Sequence, residues 1–445
     1  MENSNKQSSI NVCMYLQTNE LKNIESFNKH MEIVKQSDAD IVVFPEFSYF
    51  PRVEEFWDYD MANPDDVENI CDIALEISDK IGRAVVVNNN DKYGSIVSVF
   101  ANSFALEDET ECSIYMKHTM TQCSCFDFVD YPEMVKNGYF RPIIFKGYKI
   151  GMTICYDCNH SIFSRMYELT DGVDLIINST GGDVIYDKWY KYNKARAIEN
   201  SCDVLVTMGG DGSKLNSKNY VYGFNANGGE LNYVNLNGTS ERKNISGGLY
   251  VFNITKDCGI AEIDENSQIE TFNKNVQFEY PVGKSEELFK KSQKISENIY
   301  VLKQGNSHIA LCKVDGMDIM KPEKVLPLLY DNRLKAYKNR KYIIINQHQM
   351  VDDIVFIEKL SLILKVRSME NFCAVVLEAK NYNKCYQCGK NRTAQIVKEE
   401  NNIFGIDLDR TTGPEAIWKN KQGMRASWRE HFEWLVNYSA SLSEK

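Results

Sequence analysis

Apolar and polar positions alternate along the first part of the chain with two distinct periods. Ile10, Val12 and Met14 recur at every second residue, the spacing of a strand with one buried face. Over Asn19 to Lys35, Leu21, Ile24, Phe27, Met31 and Val34 recur every three or four residues, which predicts one face of a helix. The continuous apolar run Ile41-Val42-Val43-Phe44 then suits a strand buried on both faces, completing a β-α-β unit. Asn63-Pro64-Asp65-Asp66 supplies a cap, an early proline and acidic residues for a second helix, whose apolar face is Val67, Ile70, Ile73, Ala74, Ile77 and Ile81. Ala84 to Val87 is the next strand.

Ile96 to Leu106 and Cys112 to Lys117 follow each other as strands, which predicts a hairpin within the α/β order. Tyr148 to Cys155 and Asp174 to Asn178 read as buried strands, Trp189 to Asn200 as a helix, and Val204 to Val206 as a strand. Tyr222 to Tyr233 and Gly248 to Ile254 close the pattern. Layered α/β architecture is therefore expected over residues 8–255. Residues 256–295 are richer in charge, contain Asn273-Lys274-Asn275 and Gly283-Lys284-Ser285, and read as a connecting segment.

Residues 296–445 echo the first domain. Arg196-Ala197-Ile198-Glu199-Asn200-Ser201-Cys202-Asp203-Val204 and Arg367-Ser368-Met369-Glu370-Asn371-Phe372-Cys373-Ala374-Val375 share Arg, Glu, Asn, Cys and Val at the same spacing. Upstream, the strand ending in Asn178 has a counterpart in Ile343 to Asn346, and the one ending in Cys155 a weaker counterpart in Ile309 to Val314. A partial internal repeat accounts for all three; chance similarity at one helix-strand junction is the alternative. In the repeat reading, Val314 or Asp315 stands where the first domain has Cys155.

The 445 residues suggest two or three domains, and 43% hydrophobic with 25% charged residues is an ordinary globular balance. A net charge of −11 argues against a protein that holds nucleic acid on a basic face. The first ten residues are polar, and no stretch reaches the ~18 apolar residues of a membrane span, so neither secretion nor membrane insertion is expected. Thirteen cysteines in such a chain read as reduced thiols of a cytoplasmic protein.

Three candidate chemical groups sit at predicted strand ends. Glu46 follows Phe44-Pro45, Lys117 ends Tyr115-Met116-Lys117, and Cys155 ends the Ile150 to Cys155 run. Singly they read as an acidic loop residue, a surface amine and a small core residue. Together, at the carboxyl ends of strands in one domain, they form a complete set, because a mostly protonated thiol needs a base or a nearby cation to become a nucleophile.

These motifs resemble the carbon-nitrogen hydrolase, or nitrilase, superfamily over residues 8–255. The resemblance is carried by Val43-Phe44-Pro45-Glu46, Tyr115-Met116-Lys117 and Gly151-Met152-Thr153-Ile154-Cys155-Tyr156-Asp157. Arg165, ten residues after the cysteine, Gly172 to Ile176 and Arg196 to Asn200 extend it. It implies an αββα sandwich, here followed by a second, smaller α/β domain, and cleavage of non-peptide amide, carbamoyl or nitrile C–N bonds through a thioester-type intermediate. Cys155 would be the nucleophile, Glu46 the base, Lys117 an oxyanion donor, and the backbone N–H of Tyr156 a second such donor. Glu133, 22 residues before Cys155, is the candidate for a further family glutamate, with Asp127 and Asp130 as alternatives.

His160-Ser161-Ile162 stands where the family usually has Phe-Pro-Glu, so the pocket after the nucleophile can differ. Asn178 to Asp183 and the aromatic group Trp189, Tyr190 and Tyr192 fall where the family makes substrate or dimer contacts. A Cys155/His160 thiol-imidazole couple is a rival nucleophile pair. Cys155-x-x-Cys158 and Cys385-x-x-Cys388, with His160, have the form of zinc or redox pairs, but they lie 230 residues apart and the first uses the proposed nucleophile. Gly209-Gly210-Asp211-Gly212 lacks the Lys-Ser/Thr of a phosphate cradle and reads as a loop. No cofactor or metal is expected, and the expected partner is a small-molecule substrate, with no nucleic acid or membrane and with homo-oligomerisation open. An acyltransferase using the same three residues is the nearest alternative; a regulatory or interaction protein on this scaffold is the alternative from a different class. The tail has no counterpart of Glu46 or Lys117 and is expected to be non-catalytic.

Overall fold

The computed structural model describes residues 9–46, 66–90, 96–119, 129–181, 184–208, 221–236, 247–256, 259, 270–389, 393–419 and 428–444. The expected helix cap at Asn63 to Asp65, Asp127 and the Gly209 to Gly212 loop lie outside these residues, as do Gly182 and Asp183. Internal contacts divide the chain into two units, Met1–Glu262 and Ile263–Lys445.

In the first unit, β1 (Ser9–Leu16), α1 (Ile24–Gln36) and β2 (Ile41–Val43) form the β-α-β start. The helix begins later than the apolar period suggests because Asn23 caps it, its side-chain oxygen accepting from the N–H of Ser26 at 2.8 Å. Next come α2 (Asp66–Ile81), β3 (Ala84–Asn90), β4 (Ile96–Ala101), β5 (Cys112–Met116), α3 (Tyr131–Lys136), β6 (Ile143–Phe145) and β7 (Tyr148–Ile154). They are followed by α4 (Ser161–Asp171), β8 (Leu175–Thr180), α5 (Tyr186–Asn200), β9 (Asp203–Met208), β10 (Val221–Phe224), β11 (Tyr233–Asn235) and β12 (Gly248–Thr255).

Two sheets result, with orders β11-β12-β1-β2-β3-β4-β5 and β10-β9-β8-β7-β6. They stack on each other: Thr207 Oγ1 donates to the carbonyl of Tyr15, Ser179 Oγ to that of Phe44, and Tyr148 OH to that of Ile254. On the outer face of the first sheet, Phe27, Met31 and Val34 of α1 and Ile70, Ala74, Ile77 and Ile81 of α2 pack against Tyr15, Val42, Val85 and Val97. On the outer face of the second lie α4 and α5; at Gly151 a Cβ would meet the Tyr167 ring at 2.8 Å, so the glycine sets how closely α4 approaches. The unit is an αββα sandwich.

The single strand expected over Tyr222 to Tyr233 is two strands in different sheets. Between them Asn225 turns the chain, its side-chain oxygen accepting from the N–H groups of Asn227 and Gly229, with Gly228 at a φ of +83°. The expectation of thirteen reduced thiols is corrected at one pair. Cys71 on α2 and Cys112 at the start of β5, with Cα atoms 6.4 Å apart, form a disulfide because the helix crosses directly over the strand. Cys13, Cys155, Cys158, Cys202, Cys312, Cys373, Cys385 and Cys388 lie buried outside this disulfide.

The second unit holds β13 (Glu270–Thr271), β14 (Phe278–Pro281), α6 (Ser285–Lys290), β15 (Gln293–Lys294), β16 (Ile299–Gln304), β17 (Ser307–Asp315), α7 (Pro322–Leu329), β18 (Arg340–Gln347), α8 (Ile354–Asn371) and β19 (Ala374–Glu378). It continues with β20 (Asn383–Cys388), β21 (Ala394–Val397), β22 (Glu399–Glu400) and β23 (Ile403–Ile406). The large sheet runs β13-β21-β20-β19-β18-β17-β16-β15, and the small one β14-β23-β22. Phe278, Tyr280, Phe404 and Ile406 of the small sheet pack on Ile309, Leu311, Ile343, Ile345 and Val376 of the large one.

Part of the large sheet, β20-β19-β18-β17-β16, has the same order and directions as β10-β9-β8-β7-β6: three central parallel strands flanked by antiparallel ones. The matched sequence segments do the same work in both. Arg196 pairs with Glu199 at 2.5 Å and Arg367 with Glu370 at 2.6 Å. Asn200 and Asn371 each donate back to the carbonyl of that arginine, and Ser201 and Phe372 end their helices in the left-handed region at φ of 50° and 48°. Among the described residues, no helix is long and apolar enough to cross a membrane.

Candidate active site

Glu46 lies two residues beyond the carbonyl of Phe44, which both sheets hold: Asn88 Nδ2 donates to it at 2.7 Å from β3 and Ser179 Oγ at 3.1 Å from β8. The Glu46 carboxylate is 2% exposed and divided between two donors. Lys117 Nζ donates to Oε1 at 2.6 Å, and the N–H of Gly181, just past β8, donates to Oε2 at 2.9 Å. Lys117 follows β5 and is itself buried, with its backbone N–H on the carbonyl of Ile96.

Cys155 follows β7 at the point where the chain turns into a 3-10 helix over Cys155–Asn159, and its φ of 47° is in the left-handed region. A non-glycine residue held there is strained and needs surrounding structure to fix it. The fixing group is Asn178: its Oδ1 accepts from the Cys155 N–H at 2.9 Å, while its Nδ2 donates to Asn193 Oδ1 at 3.0 Å on α5. The buried Cys155 thiol lies within electrostatic reach of Glu46 and Lys117. Burial and the Glu46 charge push it well above its ordinary range, and Lys117 pulls it back down only in part. Burial works against the Lys117 ammonium, but the acidic groups around it, Cys155, Glu46 and Asp157, outweigh it and hold the amine above its ordinary value. Base, cation and sulfur are thus all buried and act on one another electrostatically.

The other candidate residues are distributed differently. Glu133 is exposed on α3, where its Oε1 accepts from Asn137, so it is not brought to the cluster; Asp130 caps the same helix. Tyr156 directly follows the cysteine, its ring edge-on to Trp189 at 5.4 Å. His160 is buried at the far end of the turn, near Phe163. Arg165 donates to the carbonyl of Glu199, joining α4 to α5. Burial raises the Cys158 thiol to about 12. In the second unit, Cys385 and Cys388 are three residues apart on one strand, so they point to opposite faces and cannot grip one ion. Among the described residues, no group of three or more His, Cys, Asp or Glu side chains is arranged to hold a metal.

The sequence places Asn178 and Ser179 in a segment for substrate or dimer contacts, not in one that holds the nucleophile and Phe44, and it assigns no role to Asn88 or Asp157, although Asp157 falls inside a motif quoted above. Their polar side chains at strand ends were the available signal.

Residues 9–213 match the profile of the family described as Carbon-nitrogen hydrolase. No curated protein matches the sequence. Similar solved structures include a mutant of the amidase from Nesterenkonia sp. AN1 with the result of Michael addition of acrylamide at its active site cysteine. It is 15% identical, with a TM-score of 0.41, covering 56% of this chain and 94% of that one. A carbon-nitrogen hydrolase from Helicobacter pylori G27 is 13% identical, with a TM-score of 0.39, covering 56% and 89%.

Proposed function

We propose, from the match of residues 9–213 to the carbon-nitrogen hydrolase profile and the geometry of the site, that this chain is a cysteine-dependent hydrolase of small-molecule amide-type C–N bonds. The observation that carries the reading is the buried contact of Lys117 Nζ with Glu46 Oε1 at 2.6 Å, with the buried Cys155 thiol within electrostatic reach of both.

The chemistry follows from the atoms. Glu46 takes the thiol proton as Cys155 Sγ attacks the carbonyl carbon, and the developing oxyanion is met by the Lys117 ammonium and the backbone N–H of Tyr156. Collapse breaks the C–N bond, and the amine leaves with the proton that Glu46 returns. Water then adds to the thioester with Glu46 again as base, releasing the acid and the thiol. Because the resting thiol is held protonated, the carboxylate is required at the first step; a free thiolate would not need it. The reaction uses no cofactor.

The second unit acts in this reading as a non-catalytic partial repeat. Its equivalent of the Cys155 turn starts at Gly316, with a φ of 45°, two residues past Val314 and one past Asp315, the two positions that the sequence offers. Glycine there removes the nucleophile and relaxes the strained position.

The test is exposure of the protein to short aliphatic amides, followed by intact mass measurement. An acyl adduct that maps to Cys155 and is absent from Cys155→Ser supports the proposal; turnover without a Cys155 adduct or with the serine variant overturns it.

A further inference from the structure

Lys117 and Cys155 come from different sheets, and a carboxylate on the cysteine turn takes hydrogen bonds from the backbone and side chains on both sides of Lys117. Asp157, two residues after the cysteine and 1% exposed, receives three donors from the segment around Lys117. Tyr115 OH donates to Oδ2 at 2.8 Å, the His118 N–H to Oδ2 at 3.2 Å, and Thr119 Oγ1 to Oδ1 at 2.6 Å. These donors flank Lys117 on both sides, so the carboxylate fixes the lysine's backbone rather than its amine.

We infer that Asp157 is a positioning residue for the proposed reaction, clamping residues 115–119 to the cysteine turn so that Lys117 meets the oxyanion formed at Cys155. This rests on the reading of the site given above. Burial raises the Asp157 carboxyl, but hydrogen bonds from His118 and Thr119 and the charge of Lys117 more than offset it, so the group stays ionised. Burial keeps His118 itself neutral; it hydrogen-bonds to Tyr115 OH at 3.1 Å and Tyr131 OH at 3.2 Å and stacks on Phe163 at 4.2 Å, a rigid backing for the clamp. A shift of about 1 Å in a reacting group is enough to cost on the order of a hundredfold in rate.

Asp157→Asn keeps the shape but loses one acceptor, and Thr119→Val removes one donor from the other side. In the full-length protein, both should lower kcat by about tenfold or more while KM stays within about twofold, since positioning for the transition state is lost and substrate binding is not. A second measurement is independent of turnover: the rate at which iodoacetamide alkylates Cys155, followed by mass mapping, in wild type, Asp157→Asn, Lys117→Met and the double variant. If Asp157 acts through Lys117, its substitution changes the rate in the wild-type background and not in the Lys117→Met background. Equal effects in both backgrounds, or near wild-type kcat in Asp157→Asn and Thr119→Val, would overturn the inference. Should Asp157→Asn fail to fold, Thr119→Val and Tyr115→Phe carry the same comparison. Failure of the hydrolase reading is separately visible, as no amide turnover in wild type with the alkylation coupling intact.

Discussion

At the scale of single residues, the site places incompatible demands on its cysteine: burial and a carboxylate partner keep the thiol neutral, while the reaction needs it as a thiolate for an instant. The neighbouring groups settle which substitutions matter. Cys155→Ala should abolish turnover and leave the melting temperature near that of wild type, measured together by kinetic assay and thermal melt. Lys117→Ala should lose ~10²–10³ in kcat, as for removal of an oxyanion donor, whereas His160→Ala should lose less than about tenfold; the reverse order would restore the thiol-imidazole alternative. Asp203, at the start of β9, gives a stability prediction with a definite sign. Burial pushes its carboxyl up to about 7, above the ordinary 3.8. The folded chain therefore keeps a proton that the unfolded chain sheds, so the group's contribution falls as pH rises from about 4 towards 7. Asp203→Asn should accordingly raise the melting temperature more at pH 8 than at pH 5, and an equal change at both would sink the argument. Glu46, Lys117 and Cys155 were legible because each ends an apolar run. The positioning roles of Asp157 and Asn178 were not legible, because the three donors to Asp157 lie 38 or more residues away and Asn178 meets Cys155 and Asn193 at separations of 23 and 15, and no local pattern encodes such pairs.

Secondary-structure elements carry the likeness between the two units, and it is testable where it is most buried. Arg367 and Glu370 are one turn apart on α8, with side chains 0% and 3% exposed, and Arg367 also donates to the carbonyls of Ile319 and Met320. Arg367→Ala would leave a buried carboxylate uncompensated at a cost of ~3–5 kcal/mol, while Arg367→Met with Glu370→Leu should cost much less. Denaturant titration of the two variants decides this, and equal costs would mean the pair is not what holds α8. The Arg-x-x-Glu-Asn-x-Cys segment was readable in the sequence because its interactions span three or four residues: an ion pair, a side chain returning to the previous turn, a left-handed end. The turn falls at Gly316, one or two residues past the expected Asp315 or Val314, because the apolar run of β17 says where a strand is buried, not where it turns. The small sheet was not legible at all, since β22 has two residues and β14 pairs with β23 across more than a hundred residues. Strand pairing of that range leaves no period in the chain.

At the scale of the whole molecule, the strand pairings among the described residues close within each unit: those of the first lie between Ser9 and Thr255, and those of the second between Glu270 and Ile406. Each unit also has its own apolar cluster, so each has what independent cooperative folding requires. Chains built this way depart from a single two-state transition. Calorimetry of the full chain should resolve two transitions, and the variants argued above assign them: Asp203→Asn moves only one, and Arg367→Ala only the other. The Cys71–Cys112 disulfide supplies an independent label, because it closes a 41-residue separation wholly inside the first unit. A cross-link of that span restricts the unfolded chain by about 4 kcal/mol on a chain-entropy basis, with strain reducing the figure. Reduction, or Cys71→Ser with Cys112→Ser, should therefore lower the transition that Asp203→Asn raises and leave the Arg367→Ala transition in place. Since α2 and β5 are linked by that bond and β5 leads directly to Lys117, amide turnover should be lost along the same melting curve as the first unit. A single transition, or one that moves as a whole on reduction, would mean that the two units fold as one cooperative body and that the closed pairings do not set the unit of stability.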